Sequence, residues 1–202
     1  MPPDESRGNK FAKNQQFLEH HRYFERYFSS NHSIHLPTMS LQTVRDFFSS
    51  RDLDLPIIEL ETSTATVALA AEAHGVEPGR IAKTLAFRLG SGQSMLLVAR
   101  GDARIEHKKF KEVFGKGKML TLDEVVALPG HPVGGVCPFG LANPLPVYLD
   151  RSLLAFDEVL PAAGAIHSAV RISPMQMAEV TEGEWVDVCQ GEAPPVLETS
   201  VL

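Results

Sequence analysis

The segment HPVGGVCPFG, residues 131 to 140, sets a histidine, two adjacent glycines and a cysteine within one short stretch. Two chemistries fit those residue types. In the first, Cys137 is a nucleophile, with His167 and Asp150 completing a triad of thiol, imidazole and carboxylate. In the second, the backbone does the work: Gly134 and Gly135 carry no Cβ, so their N–H groups can come close to a carbonyl or carboxylate oxygen and donate to it. Cys137 lacks the local signatures that surround known catalytic cysteines, and cysteine is one of the most commonly buried residues. The second reading is therefore the stronger of the two, and an ordinary glycine turn between strands is the alternative that needs no chemistry.

Lys83, in RIAKTLAF, stands at the entry of an apolar strand directly after a turn at Pro78 and Gly79. A lysine facing a sheet interior needs an anionic partner or water, whereas one snorkelling beside its strand carries its charge out to the surface. Arg100, Asp102 and Arg104 form a charged turn that leads into a helix bearing Lys108, Lys109 and Lys111. Such a run is either a solvated helix face or a phosphate-contacting patch, with Arg104, Lys108 and Lys109 as the contacts. His167 and Arg171 flank Ala169 at equal spacing, so a strand would place all three on one face, either at a pocket rim or on an ordinary packed or solvated surface.

These residues must be positioned by a chain of 202 residues, 44% of them hydrophobic, which is enough for one substantial core. No window approaches the about 18 apolar residues of a membrane span, and the N-terminus lacks the apolar core of a signal peptide, so the cytoplasm is the expected location. Cys137 and Cys189 are the only cysteines and form no CxxC pair, so neither a disulfide framework nor a metal site is expected, and no cofactor is implied. A net charge of −6 argues against nonspecific coating of nucleic acid but leaves room for an enzyme that grips only an RNA end.

Residues 1–38 read as an N-terminal extension, with apolar positions between Phe17 and Phe28 at rough helical spacing and a linker ending near Pro37. Residues 39–190 read as a compact domain, and 191–202 as a tail. Within the domain, SLQTVRDFFSS predicts a helix opened by Ser40. TSTATVALAAEAHGV predicts a second, stopped at Gly75, and two apolar runs joined by GSGQ predict a hairpin. Helices are expected near EHKKFKEVFG, TLDEVVAL and SPMQMAEVTEG. Strands are expected at PIIEL, VGGVCPFG, LPVYLD, DEVLPA and AIHSAVRI, with Trp185 in a closing strand. Short strands and helices without strict alternation predict an α+β fold around a curved, barrel-like mixed sheet with surrounding helices.

The ordered series TSTATVALAAEAHGVEPGRIAKTLAF, LVARGDARIEHKKF, GGVCPFG, LPVYLD and IHSAVRISPMQM resembles the YbaK family of trans-editing aminoacyl-tRNA deacylases, relatives of the editing domain inserted in bacterial prolyl-tRNA synthetases. The match runs from about Met39 to Val188. It implies hydrolysis of the ester between a wrong amino acid and the terminal ribose of a tRNA, most often tRNA for proline. Lys83 matches the family's essential lysine and would fix the substrate electrostatically. Gly134 and Gly135 match the loop whose backbone places the carbonyl or the attacking water, and Asp150 matches a pocket acid. Members acting on cysteinyl-tRNA carry Ser at the position of Cys137, a departure that leaves the choice among alanine, cysteine and similar residues open. Cys137, Val136 and Phe139 would shape a small pocket.

The implied partners are the acceptor end of a mischarged tRNA and a prolyl-tRNA synthetase, with no membrane and no DNA. A binding module of the same fold without turnover is the alternative, and a hydrolase dependent on Cys137 a third reading.

Overall fold

A computed structural model describes residues 36–191. The extension's 17–28 segment and the tail beyond residue 191 lie outside it. Helix α1, Leu36–Ser49, begins before Ser40, so Pro37 falls in the first helical turn, where its missing N–H costs nothing. Val44 and Phe48 are buried on one side of α1, as the apolar spacing predicts.

Strand β1, Ile57–Glu59, is followed by α2, Val67–His74. Thr66 caps α2 by accepting from the Leu69 N–H, and Gly75 ends it in the left-handed region at φ 64°. The predicted hairpin is present as β2, Ile81–Leu89, and β3, Ser94–Arg100. Then come α3, His107–Phe114, capped by Glu106, and β4, Gly117–Met119. Helix α4, Leu122–Ala127, opens on a Thr121/Glu124 capping box. The remaining elements are β5, Val147–Asp150; β6, Leu160–Pro161; β7, Ser168–Val170; α5, Pro174–Thr181; and β8, Glu184–Val186, which contains Trp185.

The main sheet is mixed, in the order β4-β2-β3-β5-β8, with β6 also paired to β2, while β1 and β7 form a separate pair. The class is α+β, but the barrel-like expectation is corrected: β4 and β8 stand at opposite ends of the strand order and do not pair, so the sheet stays open. VGGVCPFG is not a strand but a succession of turns and bends, and the predicted strands at DEVLPA and AIHSAVRI shrink to Leu160–Pro161 and Ser168–Val170. Pro and Gly in these stretches remove ladder donors and leave short pieces of strand.

The larger core lies on the face of the sheet that carries Ala82, Ala86, Leu96 and Val98, with Val44, Phe48, Phe139, Leu153 and Met177 packed there. Phe139 anchors the 131–140 segment, its ring 5.0 Å from that of Phe48 and 6.1 Å from that of Phe47. Truncating such a ring costs about 3 to 5 kcal/mol. The opposite face packs Phe87, Met95 and Leu97 against Phe110 of α3.

Candidate functional site

Strand β2 lies along a cavity of about 390 Å³. Thr64, Ala65 and the first turn of α2 make one wall, Val133, Gly134 and Val136 a second, and Leu120, Leu122 and Val125 a third. Met119, Leu122 and Val133 are more than half exposed at its margin.

The two glycines seat the loop between neighbouring backbones. Gly134 has φ 87°, and a Cβ there would fall 2.7 Å from the Ala65 Cβ, while one on Gly135 would fall 2.8 Å from the Ala165 carbonyl carbon. Their close approach is thus to the protein itself. The Gly135 N–H donates to Pro132 O at 2.9 Å and is spent within a turn. The N–H groups of Gly134 and Val136 have no partner among the described residues, and both residues line the cavity.

Lys83 also lines it, but strand alternation sends its side chain to the face opposite Ala82, Thr84 and Ala86. There Nζ donates to Gly101 O at 2.9 Å and to Ala103 O. Burial lowers the Lys83 pKa, partly offset by the nearby Cys189 and Asp102. Of the three N–H donors of an ammonium, two are engaged within the described residues.

The other candidates separate from this group. Asp150 is 1% exposed and accepts from the N–H groups of Ser152 at 2.9 Å, Val188 at 2.8 Å and Cys189 at 3.1 Å, so it ties the end of β5 to the segment after β8. Cys137 and Phe139 are fully buried and lie outside the cavity lining. The Cys137 thiol is pushed up to about 12 by burial, and its histidine neighbour is His131, with Nδ1 3.7 Å from Sγ. No hydrogen bond joins Cys137, His167 and Asp150 among the described residues. His167 lies just outside β7, its carbonyl accepting from Leu60 N–H, and Arg171 pairs with Glu158 at 2.7 Å; neither lines the cavity, which Ser168 and Ala169 between them do.

In the basic run, Arg104 and Lys108 are exposed. Lys109 Nζ instead donates to Asp187 at 2.8 Å, Cys189 O at 3.1 Å and Gly191 O at 3.0 Å, which clamps α3 to the chain's last described turn and raises the Lys109 pKa.

Two cavity residues escaped the sequence reading. Thr84 Oγ1 and His74 Nε2 are buried without a hydrogen-bond partner among the described residues. Burial and then the charge of Arg171 lower the His74 pKa. Thr84 directly follows Lys83, the one signal that could have found it.

A family profile described as "Aminoacyl-tRNA editing domain" matches residues 61–180. The uncharacterized protein YwhH of Bacillus subtilis (strain 168) is 47% identical over 154 residues, which cover 75% of this chain and 98% of that protein. A relative from Enterococcus faecalis (strain ATCC 700802 / V583), named "Putative Cys-tRNA(Pro)/Cys-tRNA(Cys) deacylase EbsC", is 27% identical over 124 residues, covering 60% of this chain and 76% of its own. A crystal structure of "a putative trans-editing enzyme for prolyl tRNA synthetase" superposes with a TM-score of 0.70 at 34% identity, over 75% of this chain and 98% of that one.

Proposed function

The chain belongs to the aminoacyl-tRNA editing domain family, and on that footing we propose that it is a trans-editing hydrolase, which removes a wrong, small amino acid from mischarged tRNA. Its preferred tRNA is that for proline, its amino acid is alanine, cysteine or one of similar size, and it acts in the cytoplasm, where tRNA is charged. The observation that carries this reading is the cavity itself, where the backbone of Gly134 and Val136, the β2 segment around Lys83, and the small apolar residues Ala65, Ala86 and Val136 meet.

An aminoacyl ester is already activated, so placement and exclusion are the main demands on the protein. Water adds to the carbonyl carbon, the bond to the ribose oxygen breaks, and that oxygen leaves with a proton. The unpartnered N–H groups of Gly134 and Val136 are the donors available to the oxyanion, a role the sequence assigned to Gly134 and Gly135. Lys83, fixed by two carbonyls, offers its third N–H to the phosphate or a hydroxyl of the terminal adenosine as a compact cation. Arg104 and Lys108 remain as contacts to tRNA phosphate, and Asp150 acts by holding β5 in place. A prolyl-tRNA synthetase that hands over its product is the proposed protein partner.

The test is a deacylation panel on tRNA for proline charged with alanine, cysteine and proline. Hydrolysis of a wrong ester, lost in Lys83→Ala, is the expected result; binding of charged tRNA without turnover would instead favour a binding module.

A further inference from the structure

The main-chain pairing of β2 is interrupted where it borders the cavity. On the β3 side the odd residues bond, as shown by the register and by the Leu89 N–H donating to Gln93 O at 2.8 Å. The even residues therefore present N–H and C=O to the other edge, where Ala86 O accepts from the Leu120 N–H at 2.9 Å. On that edge β6 covers Ile81 and Ala82, and β4 with Leu120 covers Ala86 to Leu89. Between them Thr84 keeps both its N–H and its C=O without a partner among the described residues. The Thr84 hydroxyl is likewise buried without one, and Thr84 lines the cavity.

An interrupted edge of this kind is a template for pairing with another backbone. The opening is one residue long, since strands close it on both sides, so a peptide strand does not fit and a single amino-acid unit does. In an antiparallel hydrogen-bonded pair, two residues exchange both bonds, N–H to O=C in each direction. An aminoacyl ester carries the same two groups, a cationic amine and a carbonyl oxygen, on the same spacing.

We propose that the open edge at Thr84 is the subsite for the aminoacyl group: the substrate's α-ammonium donates to Thr84 C=O and its ester carbonyl accepts from Thr84 N–H. This rests on the reading of the cavity as the place where the ester is held. Backbone recognition reads what all amino acids share, and the side chain is then selected only by the space left beside Ala86, Val125 and Val136. The one-residue opening leaves no room for an acyl group on the nitrogen, and acylation removes the donor's charge, so peptidyl and N-acylated esters are poor guests.

The experiment uses the full chain and a stable amide, 3′-alanylamino-3′-deoxyadenosine, followed by amide NMR and by hydrogen exchange. The Thr84 N–H is expected to shift downfield and to exchange more slowly on binding, and the N-acetyl form of the same compound to bind at least about tenfold more weakly, as expected when the donor loses its charge and carries an acyl group that the opening does not admit. If Gly134 and Val136 respond while Thr84 does not, or if the N-acetyl compound binds as well, the subsite is overturned and the editing reading stands. If no cavity residue responds, that reading falls, and the subsite with it.

Discussion

Gly134 rests on Ala65 with no room for a side chain: a Cβ at residue 134 would lie 2.7 Å from the Ala65 Cβ and 3.0 Å from the Ala65 carbonyl oxygen. This contact joins the loop before Cys137 to the segment that enters α2, and both border the cavity. Gly134→Ala must therefore push two cavity walls apart while holding a positive φ. The expected cost is about 2 to 4 kcal/mol, from the left-handed backbone and overpacking together. Gly75 is the control, with φ 64° but nothing within 4 Å of its Cβ position, so Gly75→Ala costs only about 1 kcal/mol. Urea unfolding measures both, and deacylation assayed well below the unfolding midpoint should fall in Gly134→Ala alone.

Cys137 is predicted to be dispensable for hydrolysis. Its thiol is fully buried, shifted up to about 12 by that burial, and donates to Phe139 O at 3.5 Å. A thiolate is the reactive form, and almost none exists at neutral pH. Cys137→Ala should stay active, losing about 1 to 2 kcal/mol of stability to the small void. The native protein should resist alkylation at this position. An inactive Cys137→Ala that still folds would return the cysteine to the chemistry.

The local elements were legible because each carries its own punctuation: Thr66 and Gly75 bound α2, Ser173 and Pro174 open α5, and GSGQ turns the hairpin. Residues 133–140 read as a strand because Val, Cys and Phe look like a buried run, although three glycines and Pro138 deny them a ladder. Around the cavity, Lys83 and Gly134 stand out in the sequence by type and place in the chain, and both are lining residues. Thr84 was not, since its open edge depends on where β4 and β6 stop, a tertiary fact with no local signal. Asp150 stood out as an acid, yet only the fold reveals that three backbone N–H groups already occupy it.

The two neighbouring lysines of α3 should behave differently. Lys108 is exposed, and its replacement by alanine should weaken tRNA binding uniformly across sequences and reduce the slope of log K against log salt by about 1. Lys109 is engaged with Asp187 and two carbonyls, so Lys109→Ala should lower the melting temperature, because it leaves those acceptors without their cation. Filter binding at several salt concentrations, paired with thermal melts, separates the two effects. Equal salt slopes for Lys108→Ala and wild type would remove α3 from the tRNA footprint.

His131 should make the fold acid-sensitive. Its ring is 1% exposed and Nδ1 accepts from the Cys137 N–H at 3.3 Å, which assigns the proton to Nε2, an atom without a partner among the described residues. Burial lowers its pKa from 6.5 to about 4. Above pH 6.5 both the folded and unfolded chains hold it neutral, so it contributes no pH dependence there. As pH falls below 6.5 the unfolded chain binds a proton that the folded chain refuses, and stability declines until about pH 4, where the folded form protonates too. The full loss is roughly 3 kcal/mol. Other groups titrate in the same range, so the quantity to measure is the difference between wild type and His131→Asn, whose amide oxygen can still accept from Cys137. Urea unfolding from pH 7.5 to 4 should show that difference changing in favour of the variant as the solution is acidified. Parallel curves would mean that His131 titrates normally in the folded chain and that the loop around Cys137 opens to water.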